Sequence, residues 1–189
     1  KRQSNASILA AYQLGLRDFG HSFVQEALDS FPQLAEAMPD ARWHFVGSIQ
    51  SNKTRHLTSG WALIHAVDRL KTARRLASTT HTPTPVLLQV NIGGEASKGG
   101  VAPEQACELA TQVRALDGIA LRGLMTMPPP HPGPWFERLA ELRDDLMARG
   151  ALSHDATELS MGTSGDFESA VGAGATIVRV GTALFGARR

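Results

Sequence analysis

"LSMGTSGDFESAVGAGATIVRVGTALFG", residues 159–186, holds two short β-rich runs, each opening into a Gly/Ser/Thr turn and then a stretch of helical length. Two consecutive strand–turn–helix units are the pattern of βα repeats around a parallel sheet. The same alternation extends back to the N-terminus. The candidate strands are "RDFG" (17–20), "WHFVG" (43–47), "LIHAVD" (63–68), "VLLQVNI" (86–92), "ALRGLMT" (120–126), "ELSMG" (158–162) and "TIVRVG" (176–181). Helical candidates lie between them: "SILAAYQLGL", "RLKTARRLAST", "PEQACELATQVRAL" and "PWFERLAELRDDLMARG". The last two open with proline, whose missing N–H costs nothing in a first helical turn.

This order predicts an α/β fold, a (β/α)8 TIM barrel formed by residues 1–189 as a single domain. Such a barrel closes with eight strands, so a first strand is expected upstream of Lys1, with an N-terminal helix before it. Lys1 would then stand at the C-terminal rim, where barrel chemistry sits. Spacing alone favours the plainer reading of Lys1 as a solvated terminal lysine. "TMPPPHPGP" (126–134) reads as a long loop at the rim rather than a domain boundary.

Composition excludes several classes of partner. Lys and Arg total 19 against 18 Asp and Glu, a formal charge of +1 over 189 residues, so no strong field points to nucleic acid or to an anionic membrane. Cys107 is the single cysteine; a disulfide framework is excluded, and a reducing, cytoplasmic setting is expected. No stretch approaches the roughly 18 consecutive apolar residues of a membrane span. Seven histidines show none of the spacings of a metal site, and no metal is expected.

Any anion site must therefore be local. In barrels of this kind phosphate binds between the loops after the seventh and eighth strands, where helix N-termini present N–H groups. Thr163, Ser164 and Gly165 form one such turn, Gly181 and Thr182 the other. Glycine admits close approach of an oxyanion, and the hydroxyls add donors. Plain helix capping accounts for the same residues. Arg179, between Val178 and Val180, faces the side opposite to them, which in a last strand is the barrel mouth. A core carboxylate or a ligand would serve equally as its partner.

"HFVGSIQSNK" (44–53), "GLMTM" (123–127), "ELSMGTSGDFESAV" (158–171) and "VRVGTALFG" (178–186), in that order and at those separations, resemble the pyridoxal 5′-phosphate homeostasis proteins. These are single-domain barrels similar to the N-terminal domain of alanine racemase. The resemblance implies that the cofactor is pyridoxal 5′-phosphate (PLP), with its phosphate held by Ser160, Ser164, Gly181 and Thr182. Met161 in the same run and His44 in the barrel are further cofactor-site candidates. Counting back from "DFGHSFVQE" (18–26) puts Lys1 at the family's Schiff-base lysine, and Arg179 falls against the pyridine nitrogen. A permanent cation there disfavours a protonated ring and weakens PLP as an electron sink. No catalytic residue is expected.

The chain departs from the family at His21, Ser22 and Phe23, where Glu-Asn-Tyr is common; Ser22 puts a hydroxyl in place of an amide. Gln3 and Ser4 stand where a second lysine and a proline are frequent, and Thr163 where methionine is. A core role suits His44 better than a catalytic one. Capping and solvation account for Asn52 and Lys53, and a flexible loop for "GGEASKGG" (93–100) with Lys98. His65 and Asp68 point to opposite faces of one strand and form no acid/base pair.

The implied function is storage or delivery of PLP, with PLP-dependent apoenzymes as recipients and the chain as a monomer. The alternative is a PLP-dependent amino-acid racemase. Racemisation on the related fold uses a tyrosine from another domain, and Tyr12, the single tyrosine here, lies in a candidate helix.

Overall fold

Strands covered on both faces read as unbroken apolar runs, and Leu63–Val67 is buried at every position. The computed structural model describes residues 3–57, 59–79 and 82–186. Seven strands alternate with helices: α1 (Asn5–Gln13), β1 (Asp18–His21), α2 (Val24–Leu34), β2 (Arg42–Phe45), a 3-10 helix (Ser51–His56), β3 (Leu63–Val67) and α3 (Leu70–Ala77). There follow β4 (Thr84–Val90), α4 (Pro103–Arg114), β5 (Ile119–Thr126), α5 (Trp135–Ala148), β6 (Glu158–Thr163), α6 (Phe167–Gly172), β7 (Ile177–Arg179) and α7 (Thr182–Phe185).

Each strand pairs in parallel with its neighbours in sequence, giving the sheet order β1 to β7. Asp18 stands beside Arg42, Val90 beside Thr126, and Thr163 beside Arg179. The result is a nearly closed barrel, a TIM barrel one strand short among the described residues. β1 and β7 are its two edges, and both line a single cavity. Lys1, and the strand expected ahead of it, lie outside the described residues.

The helices cover the outer face of the sheet. Ile64, Leu76, Leu88, Leu124, Leu139 and Leu159, from six different elements of the chain's middle and end, are all without exposure in one core cluster. A smaller cluster of Ile8, Ala11, Phe19, Leu34 and Met38 seats α1 and α2 beside β1. Close-packed interiors of this kind transmit strain rather than absorb it, so the barrel is a stiff frame for groups at its mouth.

Local signals explain the boundaries. The Ser4 hydroxyl accepts the Ser7 N–H at the start of α1, and Pro103 occupies the first turn of α4. At Gly123 a Cβ would stand 2.0 Å from the Glu158 carbonyl oxygen, and φ is +146°, so glycine is what lets β5 and β6 pair there. Sequence periodicity left 24–34 unassigned. α2 forms there because Val24, Ala27 and Leu34 are buried along one face, even though Pro32 withholds an N–H from its last turn. β7 is shorter than the expected 176–181 run. Its residues are only half-buried, as suits a strand paired on one side. Among the described residues, no helix is long and apolar enough to cross a membrane.

Candidate functional site

The turns after β6 and β7 meet. Gly162 ends the inner part of β6 with φ +87°, and a Cβ there would lie 2.6 Å from the Ala170 Cβ; glycine thus allows α6 to fold back tightly. The Asp166 carboxylate accepts from the Thr163 N–H at 2.6 Å and from its hydroxyl at 3.0 Å, which fixes the turn. Ser164 is thereby presented to the next loop, where its Oγ accepts the N–H groups of Gly181 at 3.0 Å and Ala183 at 3.2 Å. Two backbone donors at the start of α7 converge on one oxygen. That is the geometry of an oxyanion contact, with a hydroxyl in the receiving position.

Beside this cradle stands Arg179, whose guanidinium turns inward. Nη1 donates to Ser160 Oγ at 2.7 Å, while Nη2 donates to the Thr126 carbonyl at 2.8 Å and to Met127 Sδ at 3.0 Å. A guanidinium carries five N–H donors. Nε–H and the second Nη1–H of Arg179 have no protein partner among the described residues. Burial draws its pKa down to about 10, against an opposing pull from the Asp166 carboxylate, so the group stays charged at neutral pH. Of the two partners open to it in the sequence, a core carboxylate is not the one found: its contacts are a hydroxyl, a carbonyl and a thioether.

The barrel interior continues this polarity. Ser160 Oγ lies 2.7 Å from His65 Nδ1, His65 Nε2 lies 2.9 Å from His44 Nδ1, and His44 Nε2 lies 3.0 Å from Asp18 Oδ1. Burial first, and then the charges of His44 and Arg179, push the His65 pKa well below its ordinary value. His65 is therefore neutral. At the far end burial raises Asp18, but hydrogen bonds from Arg42 and His44 outweigh it and leave the carboxyl below its ordinary range.

A cavity of about 880 Å³ joins these parts. Its walls include Phe19, His21 and Trp43 on the β1 side and Arg179, Gly181 and Thr182 on the β7 side. This space lies between the two edge strands, β1 and β7. Among the described residues no cluster of three His, Cys, Asp or Glu side chains could hold a metal ion.

The expected site residues fall into two groups. Arg179, Gly181 and Thr182 line the cavity, Ser164 is bonded to Gly181 beside it, and His44 lines the wall with both ring nitrogens engaged. Ser160 is fully buried, its hydroxyl taken by His65 and Arg179, and the Met161 side chain is packed in the hydrophobic core. Ser22 lines the cavity and Lys53 a smaller one beside it; Lys1 and the Asn52 side chain are outside the described residues. Lys98 is bound to Glu95 and to the Pro128 carbonyl, both at 2.7 Å, so its loop is pinned to the proline-rich loop. Asp68 faces Arg69 rather than His65. Tyr12 bonds Asp40 and carries Arg17 over its ring, away from the cavity.

Sequence reasoning missed His65, Thr126 and Ala183. Ala183 acts through its backbone, which no side-chain pattern reveals. His65 was discounted with Asp68; the available signal was a histidine in a strand otherwise wholly apolar.

The alanine racemase N-terminal domain family matches residues 5–189. The pyridoxal phosphate homeostasis protein of Pseudomonas aeruginosa is 48% identical over all of this chain and 82% of its own length. PipY of Synechococcus elongatus, solved with PLP bound, superposes with a TM-score of 0.90 at 34% identity, covering 98% of this chain and 89% of PipY. Alanine racemase of Corynebacterium glutamicum is similar in fold alone: 17% identity, a TM-score of 0.70, with 97% of this chain and 53% of that one covered.

Proposed function

The chain belongs to the pyridoxal phosphate homeostasis protein family, built on the alanine racemase N-terminal domain, and from that premise we propose that it binds PLP and buffers or delivers it. The observation that carries this reading is the convergence of the Gly181 and Ala183 N–H groups on one oxygen beside the free N–H groups of Arg179. The residues fit the cofactor. The cradle suits a phosphate oxygen in place of the Ser164 hydroxyl, and the Arg179 donors suit the lone pair of an unprotonated ring nitrogen.

When bound, PLP supplies an aldehyde for a primary amine, and Lys1 is the amine we assign to it. The chain's own residues then do two things. The two turns bind the phosphate, and Arg179 orients the ring and denies its nitrogen a proton. Denying that proton favours holding the cofactor over carbanion chemistry. The engagement of Tyr12 with Asp40, outside the cavity, supports storage over racemisation, which needs a second base at the substrate carbon. Delivery to PLP-dependent apoenzymes, a monomeric state and a cytoplasmic location complete the proposal.

Titration of the full-length protein with PLP, followed by equilibrium dialysis and a D-amino acid assay, tests it. Retained PLP with no D-amino acid formed is expected. Turnover at ordinary enzyme rates, or no retention, would overturn it.

A further inference from the structure

Five side chains from five strands form one hydrogen-bonded line across the barrel: Arg179, Ser160, His65, His44 and Asp18. Its ends have fixed polarity, because a guanidinium only donates and a carboxylate only accepts. Arg179 Nη1–H donates to Ser160 Oγ, so the Ser160 proton goes to His65 Nδ1. His65 must then carry its proton on Nε2 and donate to His44 Nδ1, and His44 Nε2–H donates to Asp18 Oδ1. The reverse sense would strand the proton of a fully buried hydroxyl. His65, which is neutral, thus has one tautomer.

We propose that His65, backed by His44 and Asp18, is a positioning residue for Arg179: this one-way line sets the direction in which the guanidinium presents its free Nε–H and Nη1–H to a ligand acceptor at the cavity mouth. The proposal rests on the reading of that ligand as PLP, whose acceptor is the ring nitrogen. Two further observations support it. His65 is 1% exposed yet commits both nitrogens to the line, in a strand whose other members are apolar. The remaining guanidinium contacts, to the Thr126 carbonyl and Met127 Sδ, both involve Nη2, so Ser160 alone restrains the Nη1 side. A half-satisfied buried network is worse than an apolar core, which makes the complete line a constraint on geometry rather than filler.

Side-chain 15N NMR of the PLP-free protein tests the line itself. His65 is expected as the neutral Nε2–H tautomer, and Ser160→Ala is expected to move the signals of both rings. In the PLP-loaded protein, Ser160→Ala and His65→Phe are expected to shift the long-wavelength absorbance band and to weaken PLP retention about tenfold, the effect of one lost charge-assisted hydrogen bond. A purely structural role would lower the melting temperature and leave the band in place, which would overturn the proposal. Nδ1–H on His65 in the wild-type protein would overturn it too, and this result needs no variant to fold. Failure of the wild-type protein to take up PLP sinks the functional reading instead, so the two failures are told apart.

Discussion

The hydroxyl of Ser164, on the turn after β6, accepts the backbone N–H of Gly181, on the turn after β7, at 3.0 Å. Two loops 17 residues apart in sequence thus form one surface, and the same oxygen also receives Ala183 N–H. An incoming phosphate would take over these donors and leave the Ser164 hydroxyl to donate to it. Ser164→Ala is expected to weaken PLP retention by about tenfold, the equivalent of roughly 1.4 kcal/mol, with little change in melting temperature because the turn is held separately by Asp166. Equilibrium dialysis and a thermal melt check this.

Arg179→Lys keeps the charge and loses the fork. One ammonium cannot serve the Ser160 hydroxyl, the Thr126 carbonyl and a ligand acceptor with the same geometry. A loss of about 1–3 kcal/mol in stability is expected from the buried acceptors left unpaired, together with a shifted absorbance band for bound PLP. Chemical denaturation and absorbance spectra measure the two effects separately.

Gly162→Ala tests the fold beneath the cradle. Its φ of +87° and the 2.6 Å approach of a Cβ to Ala170 both oppose the substitution. About 1–3 kcal/mol of destabilisation is expected, lowering the melting temperature by several degrees in a chain of this size. PLP retention should fall as well, since α6 and the Thr163–Asp166 turn would shift together.

Acidification should destabilise the protein in two stages. His65 and His21 are held below their ordinary 6.5, His65 by burial and by the charges of His44 and Arg179, His21 by burial against an opposing Glu26. The unfolded chain therefore binds more protons than the folded one once pH drops below that value. Their contribution is fully present above about pH 6.5 and is lost progressively as pH falls towards the folded values. Asp18, held below its ordinary 3.8, adds a second loss at still lower pH. Melting temperatures between about pH 8 and pH 5 should fall in the wild-type protein and fall less steeply in His65→Phe; parallel slopes would contradict the assignment to His65.

The fold was legible because parallel strands buried on both faces leave mostly apolar runs, as in Leu63–Val67 and Thr84–Val90, and all seven expected strands are found. α2 was hidden by Pro32 and by a buried face, Val24 to Leu34, that carries few large apolar groups. The meeting of Ser164 with Gly181 was foreshadowed by the repeated hydroxyl–glycine turns. The line from Arg179 to Asp18 was not. Its members lie up to 95 residues apart at a single contact, His65 to Ser160, and only the closing of the sheet brings them together. Ser160, a phosphate candidate by family resemblance, has its hydroxyl turned to the interior by strand alternation, where it meets His65 and Arg179.

Borohydride reduction of the PLP-loaded full-length protein, followed by peptide mass spectrometry, tests most directly whether one cofactor spans Lys1 and the paired turns. A pyridoxyl mass on Lys1 alone is the expected result, and one that Ser164→Ala should diminish. The same mass on Lys53, Lys71 or Lys98, or on no lysine, would contradict PLP storage at this barrel mouth.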